Sequence, residues 1–206
     1  MKDLPLLKEE IAGMSHQSLK MLQLTHRAFM EHDTDLITLA LEEENKLNNA
    51  EKAITTSLVD LGRSCAVKDQ RQKTVVYADI VGDLEMIGDY CKDILERIQI
   101  KIEEKLLFSE EAVKEYNELY ALSEKALEEV VNALDQDNPG LVKEVLASQQ
   151  HIDTLVDELR RRHNQRLIDG VCIPIACNMF LNMLDFTAAI YYHTKKIAKN
   201  LSKMKK

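Results

Sequence analysis

The chain has 206 residues, is 45% hydrophobic and 30% charged, and carries a net charge of −8 at pH 7. That is enough apolar content to bury a core, in one large domain or two small ones. The acidic balance excludes a nucleic-acid binder, because affinity for a phosphate backbone rests on clustered Lys and Arg. The short run Arg160-Arg161-Arg162 and the Lys-rich tail from Lys195 to Lys206 read as solvated helix faces.

With 6 Gly, 3 Pro and no Trp, the composition is helical. Apolar residues recur at helical spacing almost end to end, and no stretch reads as a strand. Six helices are predicted, at 4–32, 35–64, 70–107, 110–136, 140–168 and 172–204. Asp33-Thr34-Asp35 ends the first and caps the second, since a short polar side chain accepts from the free amides of a first turn. Asp69 is placed to cap the third. Ser109 followed by Glu110 and Glu111 puts a cap and two acids at the fourth N-terminus. Asp137-Asn138-Pro139-Gly140 is a turn, Asp169-Gly170 a C-terminal stop, and Pro174 lies early in the last helix.

The opening residues show no signal-peptide pattern. The longest apolar run, 171–184, falls short of about 18 residues and contains Pro174, Asn178 and Asn182, so the chain is not expected to enter a membrane directly. Cys65, Cys91, Cys172 and Cys177 have no zinc-ligand or redox spacing and read as reduced, buried thiols.

The six predicted helices fall into two sets of three. A shift of 105 places Ala28 on Ala133, Leu36 on Leu141, Leu47 on Ile152 and Ile54 on Leu159, and the Asp33 turn on the Asn138-Pro139 turn. In the third helices a shift of 103 places Tyr77 on Phe180, Ile87 on Ile190 and Ile98 on Leu201. A repeat this long is a duplicated three-helix bundle rather than a solenoid unit. The expected division is 1–108 and 109–206, in an all-α fold of two tandem three-helix bundles.

The third helix carries the chemistry. Its apolar stripe is Ile80, Leu84, Ile87, Cys91, Ile94 and Ile98, while Glu85, Asp89 and Asp93 follow at i, i+4 and i+8 on roughly the opposite side. Carboxylates one turn apart can jointly hold a hard cation, and iron is also compatible. One helix rarely supplies enough ligands; the second helix offers Glu42, Glu43, Glu44 and Asn48. The alternative is a solvated acidic face. Asp79 and Asp83 form a further pair at the flank of the stripe.

Residues 83–90 read DLEMIGDY. In a duplicated three-helix frame this resembles the PhoU family, whose motif is close to D-L-E-R-I-G-D-H once per repeat, with Met86 here for arginine and Tyr90 for histidine. His163-Asn164-Gln165-Arg166-Leu167-Ile168-Asp169-Gly170-Val171-Cys172 is similar to the H-x-x-R-L-x-x-G-x-C stretch of the PhoU-like cytoplasmic domains of bacterial sodium/phosphate cotransporters. Leu7 to Met14 resembles the segment that follows the last membrane helix there. The resemblance spans essentially the whole chain.

It implies two three-helix bundles side by side and a non-enzymatic regulatory or adaptor role in phosphate uptake and phosphate signalling. The implied partners are a membrane phosphate transporter or a sensor kinase, with a homodimer as a further option. The implied location is cytoplasmic, at the inner face of the membrane through a transporter. E/D-x-x-x-D motifs of the family bind metal clusters; Glu85 and Asp89 match, and Asp93 extends the row. Their counterparts in the second repeat are Ala188, Tyr192 and Lys196. A divalent or iron-type metal is therefore expected at the first repeat only, and His193 reads as a surface or packing residue.

Other readings are a soluble cytoplasmic domain of a sodium/phosphate cotransporter and a structural helical repeat with no phosphate role. Catalysis is not expected: a carboxylate-bridged metal bundle pairs Glu with Glu-x-x-His on facing helices, and that pattern with its partners is missing from the sequence.

Overall fold

The computed structural model describes residues 3–147 and 149–204. Among them the order is α1 (Leu4–Glu31), α2 (Thr34–Ser64), α3 (Lys68–Glu103), α4 (Glu110–Asp135), a 3₁₀ turn (Pro139–Val142), α5 (Lys143–Ala147), α6 (Gln149–Ile168) and α7 (Pro174–Lys203), with no strand. The all-α expectation holds. No helix of the described residues is long and apolar enough to cross a membrane.

Several ends are set by side-chain and glycine chemistry, at α2, α4 and the end of α6 as predicted. Asp3 accepts from the Leu6 amide, Asp33 from Asp35 and Ser109 from Ala112, so α1, α2 and α4 each start on a side-chain cap. Gly170, at φ 69°, stops α6, with Val171 N–H donating to the Arg166 carbonyl at 2.9 Å.

Three expectations are corrected. Asp69 is not the cap of α3; Val67 occupies that position without a side-chain bond, and Asp69 sits in the first turn paired with Lys73 at 2.7 Å. α3 stops at Glu103, not 107. Lys105 turns left-handed at φ 52°, Leu106 N–H reaches back to the Lys101 carbonyl at 2.9 Å, and Leu106 folds into the core while Leu107 stays exposed. The Leu106-Leu107 pair had prolonged the apolar periodicity past the real end. The helix predicted over 140–168 becomes the 3₁₀ turn, α5 and α6. Pro139 and Gly140 are poor α-formers, and Asn138 accepts from the Gly140 amide at 3.0 Å, which favours the tighter turn. Residue 148 in that span, and residues 205 and 206 of the predicted tail, lie outside the described residues.

α1, α2 and α3 pack on one another, as do α4, α6 and α7; α3 then packs along α7 and α1 along α4. Gly88 allows the close approach of α3 to α2, since a Cβ there would lie 2.9 Å from Leu47 Cδ1. The α1–α4 contact is tied by Tyr120, fully buried, whose hydroxyl donates to the Leu22 carbonyl at 2.6 Å. At one end Phe29, Phe108, Tyr116 and Phe180 pack edge-on or tilted.

α3 and α7 run antiparallel, so that Tyr77 near the start of α3 and Leu201 near the end of α7 line one small cavity. Two contacts flank the crossing. Tyr90 meets Phe186, with ring centroids 6.2 Å apart. Asp83 is 3% exposed and accepts from Lys196 Nζ at 2.5 Å, with His193 Nδ1 at 2.8 Å on the same carboxylate oxygen. The shift of 103 maps Asp83 onto Phe186 and Tyr90 onto His193, so equivalent positions make an ionic contact on one side and an aromatic one on the other.

Asp83 is far more buried than Lys196, and that predicts an asymmetry between its variants. Asp83→Leu frees a lysine that can turn to solvent and is expected to cost at most about 1 kcal/mol. Lys196→Met with His193→Leu strands a buried carboxylate and is expected to cost about 3–5 kcal/mol. Urea unfolding of the two variants measures this; equal losses would refute the assignment.

Candidate functional site

The 3.6-residue period of α3 puts Glu85, Asp89 and Asp93 in a row, and packing beside α2 leaves all three half-buried rather than fully outward. Burial pushes the Glu85 carboxyl above the usual range, and Asp89, Glu51 and Glu44 push it further in the same direction. Burial also raises Asp93, with Glu96 and Asp89 adding to it and Arg97 opposing.

The second-helix candidates are largely spoken for. Glu44, buried, takes Lys92 Nζ at 3.0 Å and Asn48 Nδ2 at 3.0 Å on one oxygen. Glu43, also buried, takes Lys20 at 2.7 Å and Lys46 at 2.9 Å. Glu42 is exposed. Among the described residues, Glu85 and Asp89 are adjacent acids with no ion pair to a lysine, and the three row carboxylates do not gather to within 4.8 Å of one another. Two neighbouring carboxylates completed by water suit one hard cation; a multi-metal cluster needs more carboxylates than converge here.

On the α7 side, Tyr192 is exposed and Lys196 is committed to Asp83. His193 packs between the helices with a polar task, because a buried carboxylate requires polar partners and His193 is one of those of Asp83. The contact also moves Asp83 from the flank of the stripe into the interior. An open cavity of about 680 Å³ lies above this contact, lined by Asp79, Asp83 and Glu85 from α3 and by Lys196, Lys199 and Lys203 from α7. The Arg160-Arg161-Arg162 run is only partly a free solvated face: Arg160 pairs with Asp185, and Arg162 with Glu158.

Sequence spacing missed one grouping. Among the described residues, the one set of three or more His, Cys, Asp or Glu ligand atoms lying within 4.8 Å of one another is His163, Cys172 and Cys177. Its linear separations match no zinc pattern, because the turn at Gly170 folds the end of α6 back on the start of α7. The available signal was the H-x-x-R-L-x-x-G-x-C stretch itself, which holds His163 and Cys172 with Gly170 between them.

Residues 11–98, spanning most of α1, all of α2 and most of α3, match the family model described as the PhoU domain. These residues belong to the PhoU domain family. The fold likeness is wider than the PhoU family match. PhoU from Pseudomonas aeruginosa superposes with a TM-score of 0.90 at 18% identity, covering 98% of this chain and 96% of that one. The phosphate transport system regulatory protein PhoU from Streptococcus pneumoniae gives 0.86 at 15%, covering 98% and 94%. A PhoU-like protein from Shewanella oneidensis gives 0.68 at 15%, covering 96% and 98%. No curated protein sequence matches the chain significantly. The fold likeness therefore extends through the second half, beyond the residues of the family match.

The upward shift of Glu85 fixes the sign of a pH effect. Its folded pKa lies above its unfolded one, so its repulsion with Asp89 is fully developed above the folded pKa and is relieved as pH falls through it. Glu85→Gln is expected to stabilise the protein by a few tenths of a kcal/mol at pH 7.5. The gain should shrink towards pH 5. Thermal melts of both proteins across that range measure it; a gain that grows on acidification contradicts the assigned repulsion.

Proposed function

We propose that the chain is a non-enzymatic regulatory or adaptor module in phosphate uptake and phosphate signalling. It acts by docking on a membrane phosphate transporter or a sensor kinase, at the cytoplasmic face. The observation that carries this reading is the PhoU domain match over 11–98, joined to a PhoU fold that continues through the rest of the chain. The proposed organisation is two tandem repeats, 1–108 and 109–206. Its support is the separate packing of α1–α3 and of α4, α6 and α7, and the equivalent contacts either side of the α3–α7 crossing.

In a host strain, deletion of the gene is expected to release phosphate uptake or a phosphate-starvation reporter from repression in phosphate-rich medium, and the intact gene should restore it. Unchanged uptake and unchanged reporter output in the deletion strain would sink the regulatory reading.

We also propose that a divalent or iron-type metal tunes docking at the first-repeat row. Glu85 and Asp89 would hold it and Asp93 would add negative potential. When bound, such an ion supplies positive charge to the acidic face; the carboxylates hold and orient it. Supporting this are the adjacent, half-buried acids without lysine partners and the loss of their counterparts at Ala188, Tyr192 and Lys196. Elemental analysis of the purified protein beside Glu85→Ala/Asp89→Ala is expected to show weak retention of hard-cation or iron-type metal, with at most one such ion per chain, lost in the double variant. Two stoichiometric clusters, or retention unchanged in the variant, would refute it.

A further inference from the structure

Gly170 gives α6 its left-handed stop, and the chain reverses so that Cys172 in the loop and Cys177 in the first turn of α7 face His163 near the end of α6. One ligand atom from each residue lies within 4.8 Å of the other two. Both cysteines are free thiols. His163 and Cys177 are each 2% exposed, and Cys172 is half-buried, leaving an approach from solvent on its side.

The histidine is held firmly. Its ring stacks on Phe180 with centroids 4.0 Å apart and planes 17° from parallel. Nδ1 lies 3.1 Å from Arg166 Nη2, and Arg166 is held in turn by both oxygens of Glu115. Nε2 is buried and has no hydrogen-bond partner. A buried polar atom left unpaired costs about 1–3 kcal/mol. An unpaired imidazole nitrogen on a histidine grouped with two thiols is open to a ligand.

We propose that His163, Cys172 and Cys177 form a site for a thiophilic divalent cation of the zinc class, which staples the α6–α7 hairpin. Imidazole and thiolate are borderline-soft donors that favour zinc, whereas the oxygen-rich row on α3 favours hard cations. Zinc bond lengths of about 2.3 Å to sulfur and 2.0–2.1 Å to nitrogen place one nitrogen and two sulfurs of a tetrahedral site roughly 3.6–3.8 Å apart. The three atoms therefore need to close by at most about 1.2 Å, within reach of small side-chain rotations.

Binding replaces two S–H protons with two S–metal bonds and releases both protons to solvent. It also requires the neutral ring's proton on Nδ1, so the Arg166 guanidinium that lies 3.1 Å from Nδ1 has to turn aside. Three protein ligands leave a fourth position for water or an external donor. The hairpin so fixed exposes Ile168, Val171, Ile173 and Ile175.

The test is anaerobic titration of the full chain, reduced and stripped of metal, with cobalt(II) as the spectroscopic probe. One equivalent should produce sulfur-to-cobalt charge-transfer and tetrahedral ligand-field bands, and zinc should bleach them. Cys172→Ser and Cys177→Ser should each remove the charge-transfer intensity or weaken binding by at least about tenfold. Cys65→Ser and Glu85→Ala/Asp89→Ala should leave it intact. A wild-type measurement guards against unfolded variants: one equivalent of zinc should slow alkylation of Cys172 at least about tenfold while Cys65 keeps its rate. No sulfur-to-cobalt band in the folded wild type, a band unchanged by Cys172→Ser, or unprotected Cys172 with zinc present would each overturn the proposal.

Discussion

The antiparallel packing of α3 against α7 is the contact on which the arrangement of the two halves depends. At its centre lie Ile87 and Ile190, fully buried. On one side a carboxylate, Asp83, is buried with a lysine and a histidine from the other half. A carboxylate cannot be taken from water without partners, so the register of α7 on α3 is restricted to positions that bring His193 and Lys196 to it. The equivalent positions on the other side carry Tyr90 and Phe186, which pack at many similar registers. The specificity of the interface is therefore concentrated in its polar half.

That arrangement bears on why α3 presents an acidic row and α7 does not. Lys196 occupies the position equivalent to Asp93 and serves Asp83 across the interface instead of a cation on the surface. The α3 row stays half-buried beside Glu44, whose one bonded oxygen is shared between Asn48 and Lys92, and its own charges remain poorly compensated. One helix thus presents unsatisfied negative charge, and its counterpart spends its charge holding the halves together.

The α6–α7 hairpin obeys a different constraint. A left-handed glycine ends α6, a proline opens α7, and the few residues between must reverse the chain. The reversal buries His163 against Phe180 and exposes a run of apolar side chains around it. Glu115 of α4 is bonded to Arg166 of α6, so the hairpin is anchored to its own bundle by an ion pair that is itself largely buried.

Much of the fold was legible in the sequence because helix formation is a local matter. Asp33, Ser109, Gly170 and Pro174 act within a turn of their own position, and the apolar period marks the faces that pack. Boundaries failed where local signals were ambiguous: Leu106 and Leu107 continue the period, yet the left-handed turn at Lys105 sends one inward and the other out. The acidic row was visible because i, i+4 spacing on one helix fixes which side chains are neighbours. By itself the sequence determined an all-α chain with a single acidic row on its third helix. Only the tertiary structure decided that Asp83 is an interior anion held by His193 and Lys196, more than a hundred residues away, and that His163, Cys172 and Cys177 meet. Both depend on how separate helices lie against each other, which spacing along one chain does not encode.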